Sequence, residues 1–310
     1  MAFCKIATKF GVVKELHLLQ RLQRNFTNNV AHIRRQLYSG MVMYLIAKLL
    51  KGYSAKFIAY NAKKILRHVA ANIPAGLYWN ARTLVATGQG ATAVILLNRA
   101  IIWNHLPSRA LKAWLLCEGR EGVAQDDDEA YLLASEGERA GCRDCQGILA
   151  WCYMNGVGCC KYRERSFELA RESLKRGSRY GAYVTGLLLY FDNDDESVPE
   201  NYIESFRLIK LAASPRNKGE QGLDGAQCFL AFMYSSDIIK QQNYAKALQM
   251  YQCAANQGYP EGMHRVALYY HKGYKGVSVD FPIAIYWYTR AEKGGHKGST
   301  VRLKSLRGKL

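Results

Sequence analysis

A small side chain returns along this sequence at intervals of about 35 residues, each time within an apolar segment. In three of these segments a tyrosine follows three residues later, at Tyr153, Tyr234 and Tyr270. The small residues are Ala47, Ala81, Ala113, Ala150, Gly186, Ala231 and Ala267, at spacings of 34, 32, 37, 36, 45 and 36 residues. The longest spacing contains the polar stretch 214–225, which we interpret as a surface loop inserted into the array. Repetition at this interval predicts stacked structural units rather than one globular core.

Each unit contains a second apolar pattern about twenty residues after the first. Apolar or small residues recur there at three and four positions, which is typical of a helix with one buried face. The residues that end three of these patterns are Gly177, Gly258 and Gly294. Glycine stops a helix because it adopts the left-handed conformation without a steric penalty. Either Asp126 or Asp127, and also Asp280, are placed to cap the second helices. Each unit is therefore predicted to be two antiparallel helices.

The turns and the small and aromatic positions of these units resemble the Sel-one-like repeat family, α/α solenoid repeats related to the tetratricopeptide type. The matching residues are Tyr153, Gly156 and Gly158; Gly119, Gly122, Val123 and Asp126; Gly273, Gly276, Val277 and Asp280; Trp287 and Tyr288; and Ala254, Ala255 and Gly258. The resemblance extends from about Ser39 to Leu306 and is strong from Pro107 onward. The unit at Gly186 departs from the pattern, with Leu189 in place of tyrosine and an acidic loop in place of the glycine turn.

This resemblance implies an all-α fold, a right-handed α/α solenoid superhelix of about seven helix-turn-helix repeats plus terminal capping helices. It also implies a division of the chain into four parts. They are a basic amphipathic N-terminal segment (1–38), degenerate basic repeats (39–106), Sel-one-like repeats (107–296) with the insertion loop 214–225, and a capping helix with a basic tail (297–310).

The first 40 residues combine seven basic residues and one acid with many apolar side chains. Organelle presequences have this composition, and the stretch 35–40 resembles an arginine-directed mitochondrial processing site. The same composition also suits a capping helix that stays in the mature fold. The first interpretation predicts a mitochondrial location and the second a cytoplasmic one. The longest apolar runs, 41–47 and 91–97, are too short to cross a bilayer, so the sequence predicts no transmembrane span.

Positive charge is concentrated in the first part of the chain. Residues 1–120 contain 18 Lys and Arg and only two acids, whereas residues 121–310 contain 25 Lys and Arg and 23 Asp and Glu. Protein surfaces normally mix both signs, so the first part is predicted to attract RNA phosphate or an acidic protein surface. The candidate contact residues are Lys48, Lys51, Lys56, Lys63, Lys64, Arg67, Arg82, Arg99, Arg109 and Lys112. The alternative interpretation is a general basicity that serves no particular partner.

The sequence offers little catalytic or metal-binding chemistry. Cys142 and Cys145 form a C-x-x-C pair, and Cys152, Cys159 and Cys160 follow. If this segment is helical, Cys145 and Cys152 are about 10.5 Å apart along the axis, too far for one zinc ion. The cysteines are therefore either buried reduced thiols or, alternatively, a metal or disulfide site. The histidines are scattered and no catalytic motif is present, so we predict no enzyme activity, no cofactor and no metal.

Two functions are compatible with these observations. Stacked repeats present extended surfaces, and the family resemblance implies adaptor roles. The sequence therefore predicts a non-enzymatic scaffold that binds partner proteins within a larger complex through the concave surface of the solenoid. The alternative is an RNA-associated solenoid subunit of a mitochondrial ribonucleoprotein or ribosome, which would use the basic 1–120 region.

Overall fold

The computed structural model describes residues 73–120, 122–191, 202–215, 221–236, 242–274 and 276–307, and within these residues the chain forms thirteen α-helices and no β-strand. The helices are α1 (Pro74–Ala86), α2 (Gly90–Ile101), α3 (Leu106–Glu118), α4 (Asp127–Arg139), α5 (Arg143–Asn155), α6 (Arg163–Lys175), α7 (Arg179–Tyr190), α8 (Tyr202–Ala213), α9 (Asp224–Ser235), α10 (Tyr244–Asn256), α11 (Pro260–Lys272), α12 (Phe281–Lys293) and α13 (Lys297–Arg307). None of these helices is long and apolar enough to cross a bilayer. The prediction of an all-α solenoid is confirmed for the described part of the chain.

Twelve of the helices form six consecutive pairs, which we call repeats 1 to 6, from α1 and α2 to α11 and α12. The two helices of each pair pack along each other, and each repeat packs on the next. Helix α13 packs on α12 after the last repeat. The seventh predicted unit, around Ala47, and the N-terminal segment 1–38 lie outside the described residues.

The repeating small residues lie in the first helix of each pair, where the helices approach most closely. Those in the described part are all buried: Ala81, Ala113, Ala150, Gly186, Ala231 and Ala267. A Cβ added at Gly186 would lie 2.8 Å from Cδ1 of Ile209 in the second helix of the same repeat. Between repeats, a Cβ added at Gly147 would lie 2.6 Å from the backbone nitrogen of Gly181. Larger side chains at such positions would force the helices apart, as the sequence pattern predicts.

The predicted caps are present at the start of the second helices. The carboxylate of Asp126 accepts a hydrogen bond from the backbone N–H of Glu129 at 2.9 Å, so Asp126 rather than Asp127 caps α4. Asp280 accepts from the N–H of Ile283 at the same distance and caps α12. Each carboxylate satisfies one of the N–H groups that have no partner within the helix.

Glycines follow the second helices as predicted, with one difference of register. Gly177 and Gly258 are left-handed, with φ of +78° and +85°. Gly294 was expected to be left-handed as well, but its φ is −78° and the left-handed residue is Gly295, with φ of +86°. Gly294 is therefore the C-cap of α12, and the left-handed residue follows one position later than the sequence predicts.

One hydrophobic core extends through all six repeats, and a smaller one joins α13 to repeat 6. The repeat tyrosines contribute to the large core, where Tyr234 is buried and Tyr153 and Tyr270 are half-buried. In the small core, Tyr288 of α12 packs with Leu303 of α13. The tyrosines at repeat positions thus pack between helices instead of forming an exposed aromatic platform.

Candidate functional site

The concave side of the described repeats lies along their first helices, because first helices of neighbouring repeats contact each other while second helices pack mainly on first helices. The solenoid winds so tightly that repeat 6 reaches repeat 1. Nη2 of Arg290 in α12 donates a hydrogen bond to the carbonyl of Ala86 at 3.3 Å. The backbone at Gly258 is so close to Val85 that an added Cβ would lie 2.7 Å from the carbonyl oxygen of Val85. The described repeats therefore close on themselves.

A buried ion cluster joins repeat 2 to repeat 5 across this closed side. Nη2 of Arg120 lies 2.6 Å from Oε2 of Glu118 and 2.8 Å from Oδ2 of Asp224, the first residue of α9. The guanidinium of Arg120 also lies 5.0 Å from the ring centroid of Tyr259, just before α11. Since only 2% of the Arg120 side chain is exposed, the charges interact with little screening by water.

Burial controls the protonation of this cluster. Removal from water raises the pKa of Glu118 to about 7, although Arg120 acts in the opposite direction. Burial by itself would lower the pKa of Arg120, but the carboxylates of Asp224 and Glu118 more than offset this effect and raise it. The cluster is therefore a positive centre held between two carboxylates, and Glu118 titrates near neutral pH.

Aromatic side chains from three first helices fill the space beside the ion cluster. Trp114 of α3 makes edge contacts with Trp151 of α5 and with Tyr180 of α7, both with ring centroids 5.1 Å apart. Helices α3 and α7 belong to repeats 2 and 4, which are separated by repeat 3. A direct contact between them therefore lies on the inner side of the curved solenoid. Trp151 in turn stacks on Tyr183 at 5.7 Å. Side chains of the chain itself therefore occupy this part of the concave side, where the sequence predicts a partner surface.

Accessible surface is instead provided by the second helices. Helices α6 and α8 border a groove of about 500 Å³, which we call the outer groove. Its lining residues are Leu174, Glu204, Arg207, Leu208, Lys210, Leu211 and Ser214. The leucines form an apolar floor, and Leu211 is 56% exposed. Ile203, in the first turn of α8, is 83% exposed, so α8 exposes two large apolar side chains to solvent.

The predicted basic surface is only partly within the described residues. The candidates that lie outside them are Lys48, Lys51, Lys56, Lys63, Lys64 and Arg67. Arg82 is half-buried in α1, with its guanidinium 5.4 Å from the ring of Trp79. Arg99 is exposed in the last turn of α2, where a positive charge interacts favourably with the helix dipole.

The other two candidates form ion pairs within repeat 2. Nη1 of Arg109 lies 2.5 Å from Glu136, and Nζ of Lys112 lies 2.5 Å from Glu129. Both acids belong to α4, the second helix of the same repeat. Lys112 is buried along most of its length and does not extend into solvent. These two cations therefore neutralise acids of the same repeat.

The cysteines of the described residues are free thiols. Cys145 and Cys152 both lie in α5, as the helical interpretation assumed, whereas Cys142 precedes that helix and caps it. Within the ranges that the structure describes, no three His, Cys, Asp or Glu side chains are placed to hold a metal ion. Cys117 and Cys152 approach across repeats 2 and 3, with sulfur atoms 3.9 Å apart.

One constellation that the sequence did not indicate combines a serine, a histidine and a glutamate. His296 contacts Ser299 Oγ through Nδ1 at 3.1 Å and Glu261 through Nε2 at 2.8 Å. The backbone N–H of Ser299 also donates to Nδ1 of His296, and Ser299 is fully buried. The group therefore caps α13 and fastens it to α11, and the serine hydroxyl has no access to a substrate.

Comparison with known proteins identifies the repeat type. The sequence profile of the Sel1 repeat matches residues 113–141, 144–178, 180–214, 225–259 and 260–296. No curated protein matches the chain. Solved structures that resemble it include a protective antigen present in uropathogenic Escherichia coli strains, which displays an SLR fold, with a TM-score of 0.47 and 23% identity over 77% of this chain and 50% of that one. The chain thus spans about half the length of that antigen.

Two further structures show a similar degree of likeness. A Sel1 repeat protein from Oxalobacter formigenes has a TM-score of 0.44 and 22% identity over 72% of this chain and 89% of that one. An immunity protein from Pseudomonas aeruginosa has a TM-score of 0.41 and 17% identity over 63% of this chain and 67% of that one.

The stretches that match the Sel1 repeat coincide with the helical pairs of the structure. Residues 144–178, for example, contain α6 and all but the first residue of α5, and residues 225–259 contain α10 and all but the first residue of α9. Repeat 1 and most of α3 precede the matched region but have the same two-helix form. Proteins built from this repeat generally act as protein-interaction scaffolds. With the matched stretches covering more than half of its length, the chain belongs to the Sel1 repeat family.

Proposed function

We propose that this chain is a non-enzymatic scaffold that holds a partner protein in a larger assembly, and that the partner docks on the outer groove between α6 and α8. The observation that supports this proposal is where the accessible apolar surface lies. The concave side is filled by aromatic and charged side chains of the chain itself, whereas Leu211 and Ile203 expose apolar surface on α8. Exposed apolar surface beside charged groups is typical of protein-binding sites.

The outer groove has a definite chemical character. Its floor of leucines suits an apolar side chain of the partner, which would be removed from water on binding. On the rim, the carboxylate of Glu204 holds Arg207 through hydrogen bonds of 2.7 and 2.8 Å. Lys210 is exposed on the same helix and supplies a positive charge at the edge. The groove therefore fits a partner segment with an apolar anchor and a neighbouring acidic residue.

Replacement of Leu211 by glutamate tests this proposal. The matched control is Leu132→Glu, because Leu132 is 52% exposed on α4 and lies outside the groove. Loss of apolar burial at Leu211 should weaken the free energy of partner binding by about 1–2 kcal/mol, which makes the complex roughly tenfold weaker. Affinity purification of the tagged full chain with quantitative mass spectrometry should show a protein that the wild type and Leu132→Glu retain and that Leu211→Glu loses. Equal recovery of every protein by both variants would refute the groove as the docking site.

RNA is the second candidate partner, and the charge distribution favours it. The first 120 residues contain 18 Lys and Arg and two acids, and a basic region of this kind binds phosphate through counterion release. The same purification carried out with and without nuclease separates the two functions. Partners that disappear on nuclease treatment, together with binding that weakens steeply with salt, support the RNA-associated role. A partner retained after nuclease treatment supports the scaffold role.

A mitochondrial location forms a further part of the proposal, based on the basic and apolar composition of the first 40 residues. Incubation of the full chain with isolated mitochondria should yield a protease-protected product, shortened if residues near 35–40 are the processing site. A chain that stays at full length and protease-sensitive would favour the cytoplasmic alternative.

A further inference from the structure

Two cysteines at the start of α5 lie in unequal surroundings. Cys142 is the N-cap residue, and its sulfur accepts a hydrogen bond from the backbone N–H of Cys145 at 3.4 Å. Cys145, three residues later in the first turn, is fully buried, whereas Cys142 keeps 7% exposure. Its neighbour Gly141 is exposed, and a Cβ added there would meet no atom within 4 Å. Cys142 is therefore buried next to open space at Gly141, which is the side from which a small reactant would approach.

The space that Cys145 occupies is created by a glycine on α4. A Cβ added at Gly137 would lie 2.7 Å from Cβ of Cys145 and still closer to its sulfur, so any other residue there would displace the thiol. Cys142 is fixed as well, since the backbone N–H of Cys142 donates to the carbonyl of Gly137 at 2.8 Å. Cysteines at an N-cap and three residues further on are also at a separation that a disulfide can span.

We propose that Cys142 and Cys145 are a redox-active dithiol that exchanges with low-molecular-weight disulfides. The thiolate of Cys142 attacks one sulfur of the incoming disulfide, which releases one thiolate and leaves a mixed disulfide on Cys142. The sulfur of Cys145, after loss of its proton to solvent, then attacks the sulfur of Cys142, forms the Cys142–Cys145 bond and releases the second thiolate. One disulfide is reduced to two thiols while the protein dithiol is oxidised, so no other electron acceptor is required.

The electrostatics of the pair agree with this division of roles. Hydrogen bonds from the thiol and backbone of Cys145 lower the pKa of Cys142 to about 7, against opposing effects of burial and of Asp144. The same hydrogen bond and burial raise the pKa of Cys145, with Arg109 acting in the opposite direction. The sulfur of Cys142 is thus the one that ionises near neutral pH, and the fully buried sulfur of Cys145 takes the second step.

Cys117 and Cys152 provide an internal comparison. Their sulfur atoms are also close, at 3.9 Å, and the two pairs are buried to a similar degree. However, Cys142 lies between the exposed Gly141 and Arg143, whereas Cys117 lies between the buried Leu116 and the half-buried Glu118. The hydrogen bond to Cys152 and burial both raise the pKa of Cys117. Proximity alone therefore predicts oxidation of both pairs, whereas the proposal predicts that only the pair at the start of α5 exchanges readily.

The experiment uses the reduced full chain in buffers with increasing ratios of glutathione disulfide to glutathione. Samples are quenched with acid and alkylated, and every cysteine is quantified by peptide mass spectrometry. The Cys142–Cys145 disulfide should appear at a ratio at least about tenfold lower than any Cys117–Cys152 disulfide. In Cys145→Ser, oxidation should stop at a glutathione adduct on Cys142, and Cys117→Ser should behave like the wild type. The alkylation rate of Cys142 should rise through a midpoint near pH 7.

Several results would overturn the proposal. One is a wild-type chain in which Cys142 and Cys145 stay reduced while the exposed Cys160 forms a glutathione adduct. Another is a midpoint of the alkylation rate near pH 9, the range of an ordinary thiol. Because Cys145→Ser changes a buried position, its circular dichroism is compared with that of the wild type. The wild-type measurements decide the proposal even if this variant is unfolded.

Discussion

Replacement of Arg120 by methionine tests the closed winding of the solenoid, because it removes the positive charge of the ion cluster between repeats 2 and 5. The exposed fractions of the side chains are 2% for Arg120, 10% for Glu118 and 15% for Asp224. Removal of one member of a buried ion pair lowers the free energy of unfolding by about 3–5 kcal/mol, because the remaining charge has neither water nor a counterion. We therefore expect the free energy of unfolding to fall by about that amount and Tm to fall by roughly 10 °C.

The assay is thermal and urea denaturation followed by circular dichroism, with Arg165→Met as the control. Arg165 also pairs with a glutamate, Glu168 at 2.9 Å, but the two side chains are 50% and 66% exposed. Such a surface pair contributes about 0–1 kcal/mol. The deficit of Arg120→Met should shrink as the pH falls to 5, because protonated carboxyls need no counterion. If Arg120→Met and Arg165→Met lowered the free energy of unfolding equally at pH 7.5, the structural role of the cluster would be refuted.

The remaining predictions concern one member of this cluster and one helix cap. Because the pKa of Glu118 is raised to about 7 in the folded chain from an ordinary value of 4.5, the folded state binds more protons between these values. The free energy of unfolding should therefore decline by about 3 kcal/mol as the pH rises from 4.5 to 7, and Glu118→Gln should remove this decline. If urea denaturation gave the same pH profile for Glu118→Gln and the wild type, this role of Glu118 would be wrong. Asp126→Ala should lower stability by about 1 kcal/mol through loss of the α4 cap, whereas Asp127→Ala should cost only a few tenths. Equal effects of the two alanine variants in urea denaturation would show that the cap is misassigned.

Local features of the fold could be predicted because they depend on neighbouring residues. A helical pair needs an apolar stripe, a cap and a stop signal within about 35 residues, and all of these are visible in the sequence. The small residues were informative for the same reason, since Ala150 or Gly186 permits close helix approach whatever lies beyond the neighbouring repeat. The left-handed residue after α12 was misplaced by one position because Gly294 and Gly295 are adjacent and either can adopt that conformation.

The closure of the solenoid could not be predicted in the same way, because it depends on contacts between distant repeats. The hydrogen bond from Arg290 to Ala86 joins residues 204 positions apart, and no periodic pattern encodes such a contact. Counting charges along the chain had a similar weakness. A boundary after Arg120 separates Arg109 and Lys112 from their partner acids in α4, so the count overstates the free positive charge of repeat 2.

In the described repeats, repeat 6 closes on repeat 1 through the contact between Arg290 and Ala86. A photo-crosslinking amino acid placed at Arg290 in the full chain measures this directly, with peptide mass spectrometry of the monomeric product. We expect an intramolecular crosslink to residues 85–88, at the end of α1, where Arg290 contacts Ala86. Crosslinks confined to repeats 5 and 6 and α13 would contradict it and would restore an open concave surface.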